Sequence, residues 1–300
     1  MVTVALGKIV GWHAPAGVLS LLVFLSACTD LRPVGRVTTD AALPPIQVLV
    51  WNNALGWGHI SRVQALPYLQ AREPTDNLKF DTTYAHTASN IPDGPSDEVF
   101  DASVFTDEGL DKYDVVLFLN TTGNTIDDDK KTIRRQALRD FIEKKGRGFV
   151  GTHSATDTYQ ANAADPWPWY VEFIGTNYLD HTKPDRTLGV ARYFQGMTHP
   201  ILSSAGTPTP WNRSEEWFVF KGDPLFATPI AGVTMLLTCH DQINMTERPS
   251  AWVHDMPPQA GAARGGRLFY TAFGHHTSAF EEPAVIDLIV AGIKWAAGRL

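Results

Sequence analysis

Histidines and a glutamate stand at the ends of apolar runs that are typical of buried strands. The clearest case is His153, which is separated from the apolar run GFVG at 148–151 only by Thr152. His59 and His275 follow other such runs. In open α/β sheets, ligands bind beyond the carboxyl ends of the strands, so side chains at such positions converge. Imidazole titrates near neutral pH and is the commonest metal ligand in proteins. We therefore predict one shared site for proton transfer or for a divalent metal, formed by His59, His153, Glu216 and His275.

The segment around His153 has the outline of a strand-to-helix elbow. In α/β hydrolases and amidotransferases this sharp turn carries a serine or cysteine nucleophile. Here the apex is His153, so an amidotransferase thiol is absent, and Ser154 lies one residue beyond the apex. A helix N-terminus favours the neutral form of a histidine, which suits a base or a metal ligand. We expect Asp157 to orient His153 as part of the catalytic set; the alternative is that Asp157 caps the following segment.

Aromatic and polar side chains near the same strand ends predict a sugar-binding rim. Flat rings beside carboxylates and amides are suited to gripping the apolar faces and the hydroxyls of sugars. Core packing is the alternative for each tryptophan. The candidate substrate-binding residues are Asn52, Thr122, Trp167, Trp169, Trp217, Trp252 and His254.

The elements that must position these residues are those of a parallel sheet. Near-continuous apolar runs at 46–51, 114–119 and 148–151 are typical of strands buried on both faces. Between the last two runs, apolar residues recur at helical spacing from Asp127 or Asp128 to about residue 145, where Gly146 ends the helix. Strand, helix and strand form a βαβ unit, which when repeated gives an open sheet with helices on both faces.

In the C-terminal half, predicted strands follow one another with few helices between them. This pattern indicates an elaborated edge of the same sheet or a small antiparallel layer on it. The segments predicted are strands at 187–193, 216–220, 234–239, 251–254 and 267–272 and a final helix at 283–297, whose apolar face includes Gly292.

The N-terminal residues resemble a targeting signal. Residues 16–27 are an apolar stretch of 12, too short to span a bilayer as a helix but suited to a secretory signal. Its end, at 25–28, resembles a bacterial lipobox, which places a lipid on Cys28; the alternative is a buried N-terminal strand or helix. We expect a signal peptide at 1–27, a tether at 28–45 and one domain at 46–300, anchored in the bacterial cell envelope and facing the periplasm or the exterior.

Composition limits the partners. The chain has 300 residues, of which 44% are hydrophobic and 19% charged, which is typical of a globular protein. A net charge of -7 argues against nucleic acid as a partner, because no basic field replaces the phosphate counterions. With Cys28 acylated, Cys239 is a lone thiol, and we expect no intramolecular disulfide. Contact with the membrane is expected through the lipid only.

Several segments form a recognisable series along the chain: 115–123, 148–158, 167–170, 215–218, 249–252 and 266–275. In this order, within about residue 46 to the C-terminus, they closely resemble the ThuA-like (trehalose utilisation) family. The usual Gly-aromatic-Arg-His of that family appears here as Gly56-Trp57-Gly58-His59, with the arginine displaced to Arg62. The resemblance implies a class I glutamine-amidotransferase-like fold: a flavodoxin-type three-layer α/β sandwich with a mostly parallel central sheet and additional C-terminal strands.

The resemblance also implies a role in sugar metabolism. The family is associated with uptake and breakdown of disaccharides, in particular keto-sugar intermediates that a partner dehydrogenase makes. We expect an envelope-anchored enzyme that acts on a disaccharide or 3-keto-glycoside by hydrolysis, elimination or isomerisation. A divalent metal is a possible cofactor, although no HExxH motif assigns its ligands. The alternatives are a non-catalytic carbohydrate-binding lipoprotein and a metal-dependent amide or ester hydrolase.

Overall fold

The computed structural model describes residues 43–88, 93–160, 163–221 and 232–300. The predicted signal peptide, most of the tether and Cys28 lie outside these ranges, and the compact unit that contains the site is Pro44–Leu300. Within the described ranges, none of the helices combines the length and the apolar character needed to cross a membrane. Cys239 is a buried free thiol.

The described strands and helices alternate through the first half of the unit, and strands dominate the second. The strands are β1 (Ile46–Trp51), β2 (Leu55–Gly58), β3 (Leu78–Asp81), β4 (Gly94–Asp97), β5 (Val115–Leu119), β6 (Gly148–Thr152), β7 (Asn177–His181), β8 (Thr187–Tyr193), β9 (Trp211–Glu215), β10 (Phe218–Lys221), β11 (Val233–Asp241), β12 (Thr246–Asp255) and β13 (Arg267–Thr271). The α-helices are α1 (Ser61–Gln64), α2 (Leu66–Gln70), α3 (Glu73–Asp76), α4 (Asp107–Asp111), α5 (Lys131–Glu143), α6 (Pro168–Ile174), α7 (Pro200–Ala205), α8 (Thr277–Glu281) and α9 (Pro283–Ala296). Short 3₁₀ helices occupy Ala102–Val104, His153–Asp157 and Phe194–Gly196.

The central sheet has the order β3-β1-β5-β6-β13-β12-β11-β8-β9. Its first five strands are parallel, and their order along the chain is that of a flavodoxin-like sheet, 2-1-3-4-5. Strands β12, β11, β8 and β9 continue the sheet in antiparallel fashion. The predicted α/β fold is therefore confirmed. Most of the C-terminal strands extend the same sheet, while β10 pairs with β7 in a separate two-stranded antiparallel sheet, and β2 and β4 form another.

Strand β5 shows why the sheet lies between two hydrophobic cores. All five of its residues are buried. Because side chains alternate across a strand, Leu117 packs with one core and Phe118 with the other. The first core includes α9 residues such as Leu288, and the second includes α5 residues such as Leu138. The near-continuous apolar runs therefore belong to strands that are covered on both faces.

Helix α5 confirms the predicted helix between the third and fourth parallel strands but is shorter than expected. It begins at Lys131, while Asp128 accepts a hydrogen bond from the Lys130 amide just before it. The chain leaves the helix at Gly146, whose φ of 62° is in the left-handed region that glycine tolerates. Ile133, one of the apolar residues at helical spacing, is 56% exposed and so does not face the core.

Close packing of α9 against β13 gives a stability prediction. Gly292 lies so near the Phe269 ring that a Cβ at position 292 would overlap it. We expect Gly292→Ala to lower the free energy of unfolding by about 1–3 kcal/mol, since overpacking outweighs the roughly 1 kcal/mol gain in helix propensity. Urea denaturation measures this. Gly94→Ala is the control, because a Cβ there meets no heavy atom within 4 Å; an unchanged midpoint for Gly292→Ala would contradict the packing argument.

Candidate active site

His153 stands at a sharp elbow between β6 and the 3₁₀ helix that begins at this residue. Its φ is 43°, an uncommon backbone conformation for a residue other than glycine. The Tyr270 hydroxyl donates a hydrogen bond of 2.6 Å to the His153 carbonyl, which secures the turn. The elbow that the sequence indicates is therefore present, with histidine at its apex.

The His153 side chain is fully buried, and one of its ring nitrogens has a backbone partner. Its Nδ1 lies 3.2 Å from the Ala272 carbonyl oxygen, which can only accept, so Nδ1 donates to it and Nε2 faces the other residues of the cluster. This corrects the expectation for Asp157: the Ala272 carbonyl orients His153, and the Asp157 carboxylate accepts a hydrogen bond from Gln160 instead.

Three of the predicted site residues meet at one point. His153 Nε2 is 3.2 Å from Glu216 Oε2 and 3.1 Å from His275 Nδ1, and His275 Nδ1 is 3.0 Å from the same Glu216 oxygen. His59 completes the group, with its ring centroid 4.8 Å from that of His153 and 4.9 Å from that of His275. One possible ligand atom from each of these four buried residues lies within 4.8 Å of the others. The convergence expected from the strand ends is thus observed.

The elements that carry the four residues explain this convergence. His153 follows β6 and His275 follows β13, and these two strands are parallel neighbours in the sheet. His59 follows β2, and the hydroxyl oxygen of Ser154 lies 3.4 Å from its Nδ1. Glu216 enters from the connection between β9 and β10, beside Glu215, which accepts from the His275 amide at 3.2 Å.

Burial and contact between the side chains shift the pKa values of His59, Glu216 and His275. Burial, together with the neighbouring His153 and His275, holds the pKa of His59 well below its ordinary value. Burial alone would raise the pKa of Glu216, but hydrogen bonds with His153 and His275 outweigh it and keep this pKa low. Burial likewise opposes protonation of His275, yet its hydrogen bond to Glu216 prevails and raises the pKa. The cluster therefore combines an ionised carboxylate with nitrogen donors.

These donors fit a divalent metal. Ligand atoms of a tetrahedral zinc site stand about 3.3 Å apart when the metal bonds are about 2.0 Å long. The 3.0–3.2 Å separations among His153, His275 and Glu216 are close to that value. The Ala272 carbonyl on His153 Nδ1 is also the kind of outer contact that fixes the ring of a metal-binding histidine. Three imidazoles and one carboxylate are a donor set that zinc and similar ions accept.

The cluster opens into a cavity of about 350 Å³. His59, Asp157, Glu216 and His275 line it, as does Ser154. The lining residues that the sequence did not indicate are Trp57, Asp93, Tyr178, His181, Asp185 and Phe218.

Asp157 lines this cavity and has a raised pKa. Burial raises its pKa to about 7, with a further contribution from the negative charge of Glu216. A carboxyl group with such a pKa exchanges protons readily at neutral pH. Asp157 thus keeps a place among the candidate acid–base groups, although it does not orient His153.

His181 and Asp185 are the main polar residues of the cavity that the sequence did not indicate. His181 Nδ1 lies 2.9 Å from Glu216 Oε1, the oxygen that faces away from His153, and 2.9 Å from the Thr182 carbonyl. His181 ends β7, whose sequence NYLDH is too polar to be recognised as a strand. The spacing of histidine and aspartate four residues apart was the available signal.

The four tryptophans predicted to bind substrate serve the core instead. Trp217 and Trp252 are fully buried, and their indole N–H groups donate to the Thr187 and Ile174 carbonyls. Trp167 packs in the second core, and the partly buried Trp169 packs against that core and donates to Glu143 at 2.7 Å. The position of a tryptophan near a strand end therefore does not show whether its indole lies in the core or lines the cavity.

The three polar residues predicted to bind substrate also have structural partners. Buried Asn52 donates to the Arg62 and His86 carbonyls, each at 3.0 Å. Thr122 donates to the Trp57 carbonyl at 3.0 Å, and His254 Nδ1 lies 2.8 Å from the Phe173 carbonyl. None of the three is among the residues that line the cavity.

Comparison with known proteins agrees with this architecture. Residues 47–296 match the ThuA family, which is described as trehalose utilisation. A ThuA-like protein from Bacteroides uniformis ATCC 8492 is 20% identical, with a TM-score of 0.61 over 87% of this chain and 95% of that one. A second, from Parabacteroides merdae ATCC 43184, is 17% identical, with a TM-score of 0.57 over 84% and 90%. No functionally curated protein matches the sequence.

The family match extends from β1 to the end of α9 and so includes every element that carries the His/Glu cluster. The chain belongs to the ThuA family of trehalose utilisation proteins.

Proposed function

We propose that the protein is a metal-assisted enzyme of carbohydrate utilisation that acts on a disaccharide or its 3-keto derivative. The family supports a role in carbohydrate utilisation. The observation that carries the finer proposal is the His59, His153, Glu216 and His275 cluster at one cavity with Asp157. A donor set for a cation and a carboxyl group that titrates near neutrality suit proton transfer next to a sugar carbonyl.

The proposed ligands of the cation are the four residues of the cluster. A bound divalent ion would supply Lewis-acid polarisation of a substrate carbonyl or hydroxyl oxygen. Within the chain, the Ala272 carbonyl holds His153 Nδ1, and His181 contacts the Glu216 oxygen that faces away from His153. These contacts leave His153 Nε2 and Glu216 Oε2 directed at each other, so the donor atoms are positioned before a ligand enters.

Asp157 has the role of acid and base in this proposal. A 3-keto group acidifies the C–H bond at the neighbouring carbon, between the ketone and the glycosidic carbon. The Asp157 carboxylate takes that proton, and the electron pair of the C–H bond forms a carbon–carbon double bond as the glycosidic C–O bond breaks. The protonated carboxyl then returns its proton to the departing oxygen, so the elimination is balanced without an external acid.

The test of this function is direct. Trehalose and its 3-keto derivative are incubated with purified protein and followed by proton NMR, with Zn²⁺, Mn²⁺ or Ca²⁺ and after chelation. We expect the signal of the hydrogen next to the ketone to disappear with metal present and to persist after chelation. Binding without any change of either sugar would instead support a carbohydrate-binding protein and contradict the proposed enzyme.

We also propose that a lipid on Cys28 tethers this domain to the cell envelope. The support is the sequence at 25–28, which ends an apolar stretch and precedes a polar, proline-containing segment. In cells fed radioactive palmitate we expect label on the wild-type protein and none on Cys28→Ala, with Cys239→Ala as the labelled control. Equal labelling of the Cys28 variant would contradict the proposal.

A further inference from the structure

Trp57 lies at the cavity with an unusual exposure for so large an apolar side chain. Half of its surface, 50%, is accessible, whereas Trp217 and Trp252 are fully buried. It is also one of the residues that line the cavity beside His59. An indole that is half exposed at the wall of a cavity is available to a ligand.

The backbone around Trp57 is held firmly. Trp57 lies in β2, which pairs with β4 so that Trp57 stands opposite Pro95. The Thr122 hydroxyl donates to the Trp57 carbonyl at 3.0 Å, and the Thr122 carbonyl accepts from the Leu55 amide at 2.9 Å. We call the β2–β4 pair the ribbon. Because these hydrogen bonds already hold its backbone, little backbone conformational entropy is lost when a ligand binds at Trp57.

Arg62, the displaced arginine, also helps to hold this ribbon in place. Arg62 is fully buried, forms an ion pair with Glu98 and donates to the Asn52 carbonyl at 2.6 Å. A Cβ at Gly58 would lie 3.2 Å from Arg62 Nη2, so glycine at this position makes room for the guanidinium. Glu98 in turn accepts from the Ala54 amide at 3.2 Å, just before β2. The ion pair therefore ties the ribbon to the loop after β1.

Two carboxylates accompany the indole at the cavity. Asp93 and Asp185 both line it. One Asp93 oxygen accepts from the Ile60 amide, which fixes the carboxylate and leaves its second oxygen for a ligand. The Asp185 side chain is 56% exposed. An aromatic face with carboxylate acceptors beside it matches the two surfaces of a pyranose ring, its C–H face and its equatorial hydroxyls.

The position of Trp57 relative to the His/Glu cluster completes the argument. His59 belongs to the cluster and is two residues from Trp57, so the two Cα atoms are at most about 7 Å apart. Trp57 and His59 therefore lie on the same part of the cavity wall, and a second ring attached to a sugar at the cluster can reach the indole. We propose that Trp57, Asp93 and Asp185 form a subsite for this second, non-reacting pyranose ring, which makes the substrate a glycoside of at least two rings. This inference rests on the proposed function, since it places the reacting ring at the cluster.

The experiment measures sugar binding to the zinc-loaded full-length protein by isothermal titration calorimetry. The probes are trehalose, with two rings, and methyl α-glucoside, with one. We expect Trp57→Ala to weaken trehalose binding about tenfold, while Trp57→Phe, which keeps a ring, recovers most of the affinity. Affinity for methyl α-glucoside is expected to change less than threefold. Trp169→Phe, a substitution of a partly buried indole that does not line the cavity, is the matched control and should bind both sugars normally.

The outcomes separate the subsite from the proposed function. Trehalose affinity unchanged in Trp57→Ala, with sugar turnover intact in the wild type, would overturn the subsite and leave the enzyme proposal standing. Equal weakening for both sugars would overturn the assignment to the second ring. If neither trehalose, nor its 3-keto derivative, nor methyl α-glucoside binds the wild-type protein, both the subsite and the proposed function are wrong. Circular dichroism of the Trp57 variants verifies that the fold is retained.

Discussion

Glu216→Gln is expected to weaken zinc binding at least about 100-fold and to abolish sugar turnover. Glutamine has nearly the shape of glutamate, but it removes the negative charge that Glu216 directs at His153 and His275 at 3.2 and 3.0 Å. Loss of an anionic ligand costs more than loss of an outer-shell contact, which already costs about 10- to 100-fold in affinity. Competition with a chromophoric chelator gives the affinity, and NMR of the sugar gives turnover.

The control for Glu216→Gln is a second glutamate that contacts a histidine outside the cavity. Glu247 lies 3.4 Å from His240 Nδ1, and both side chains are partly exposed. Glu247→Gln should bind zinc as tightly as the wild type, because His240 belongs to neither group of metal-type donors found among the described residues. Zinc affinity retained in Glu216→Gln would contradict the proposed ligand set, and an equal loss in both variants would indicate a general effect of charge.

Asp157→Asn is expected to lower turnover about 10²- to 10⁴-fold while leaving zinc affinity within threefold of the wild type. The amide cannot take the proton from the carbon next to the ketone, and a general base contributes rate factors of about this size. Asp157 is not one of the four proposed ligands, so metal binding should survive. Single-turnover NMR and the chelator titration measure the two effects separately.

The same substitution should stabilise the metal-free protein at neutral and alkaline pH. The pKa of Asp157 is about 7 in the folded protein and about 3.9 in an unfolded chain. Between these values the folded state keeps a proton that the unfolded state has lost, so stability falls as pH rises through this window and is lowest above pH 7. Asparagine removes this loss.

We therefore expect a gain of about 1–2 kcal/mol in the free energy of unfolding at pH 8, reduced from the full shift because Asp157 is partly exposed, and none at pH 3.5. Urea denaturation at the two pH values provides the test. Asp255→Asn, at an exposed carboxylate that does not line the cavity, is the control. A stability gain that is equal at both pH values would contradict the assigned pKa, and turnover that survives in Asp157→Asn would remove its role as base.

The parallel part of the fold could be predicted because burial on both faces leaves a plain signal. Runs such as that of β5 are apolar at every position, so their strand character does not depend on an alternating pattern. Strands β7 and β9, with the sequences NYLDH and WNRSE, were missed because their pairing, not their composition, makes them strands. The strand expected at 216–220 begins only at Phe218, since Glu216 and Trp217 form the connection that delivers the carboxylate to the site.

The His/Glu cluster could be predicted for a topological reason. Neighbouring parallel strands end at the same edge of a sheet, so His153 after β6 and His275 after β13 must meet whatever the details of packing. The direction of a side chain at such an edge depends on φ and ψ and on neighbours, which sequence position does not provide. For this reason Trp252 was expected at the site but lies in the core, while Trp57, on the partly exposed strand β2, lines the cavity.

X-ray absorption at the zinc edge of the reconstituted, desalted protein tests the central claim most directly. The account predicts one tightly held zinc per chain, with three nitrogen donors from His59, His153 and His275 and an oxygen donor from Glu216, all at about 2.0–2.2 Å. The Glu216→Gln variant should lose that signal after desalting. Zinc that washes out of the wild-type protein, or a bound ion surrounded by oxygen alone, would contradict the proposed metal site.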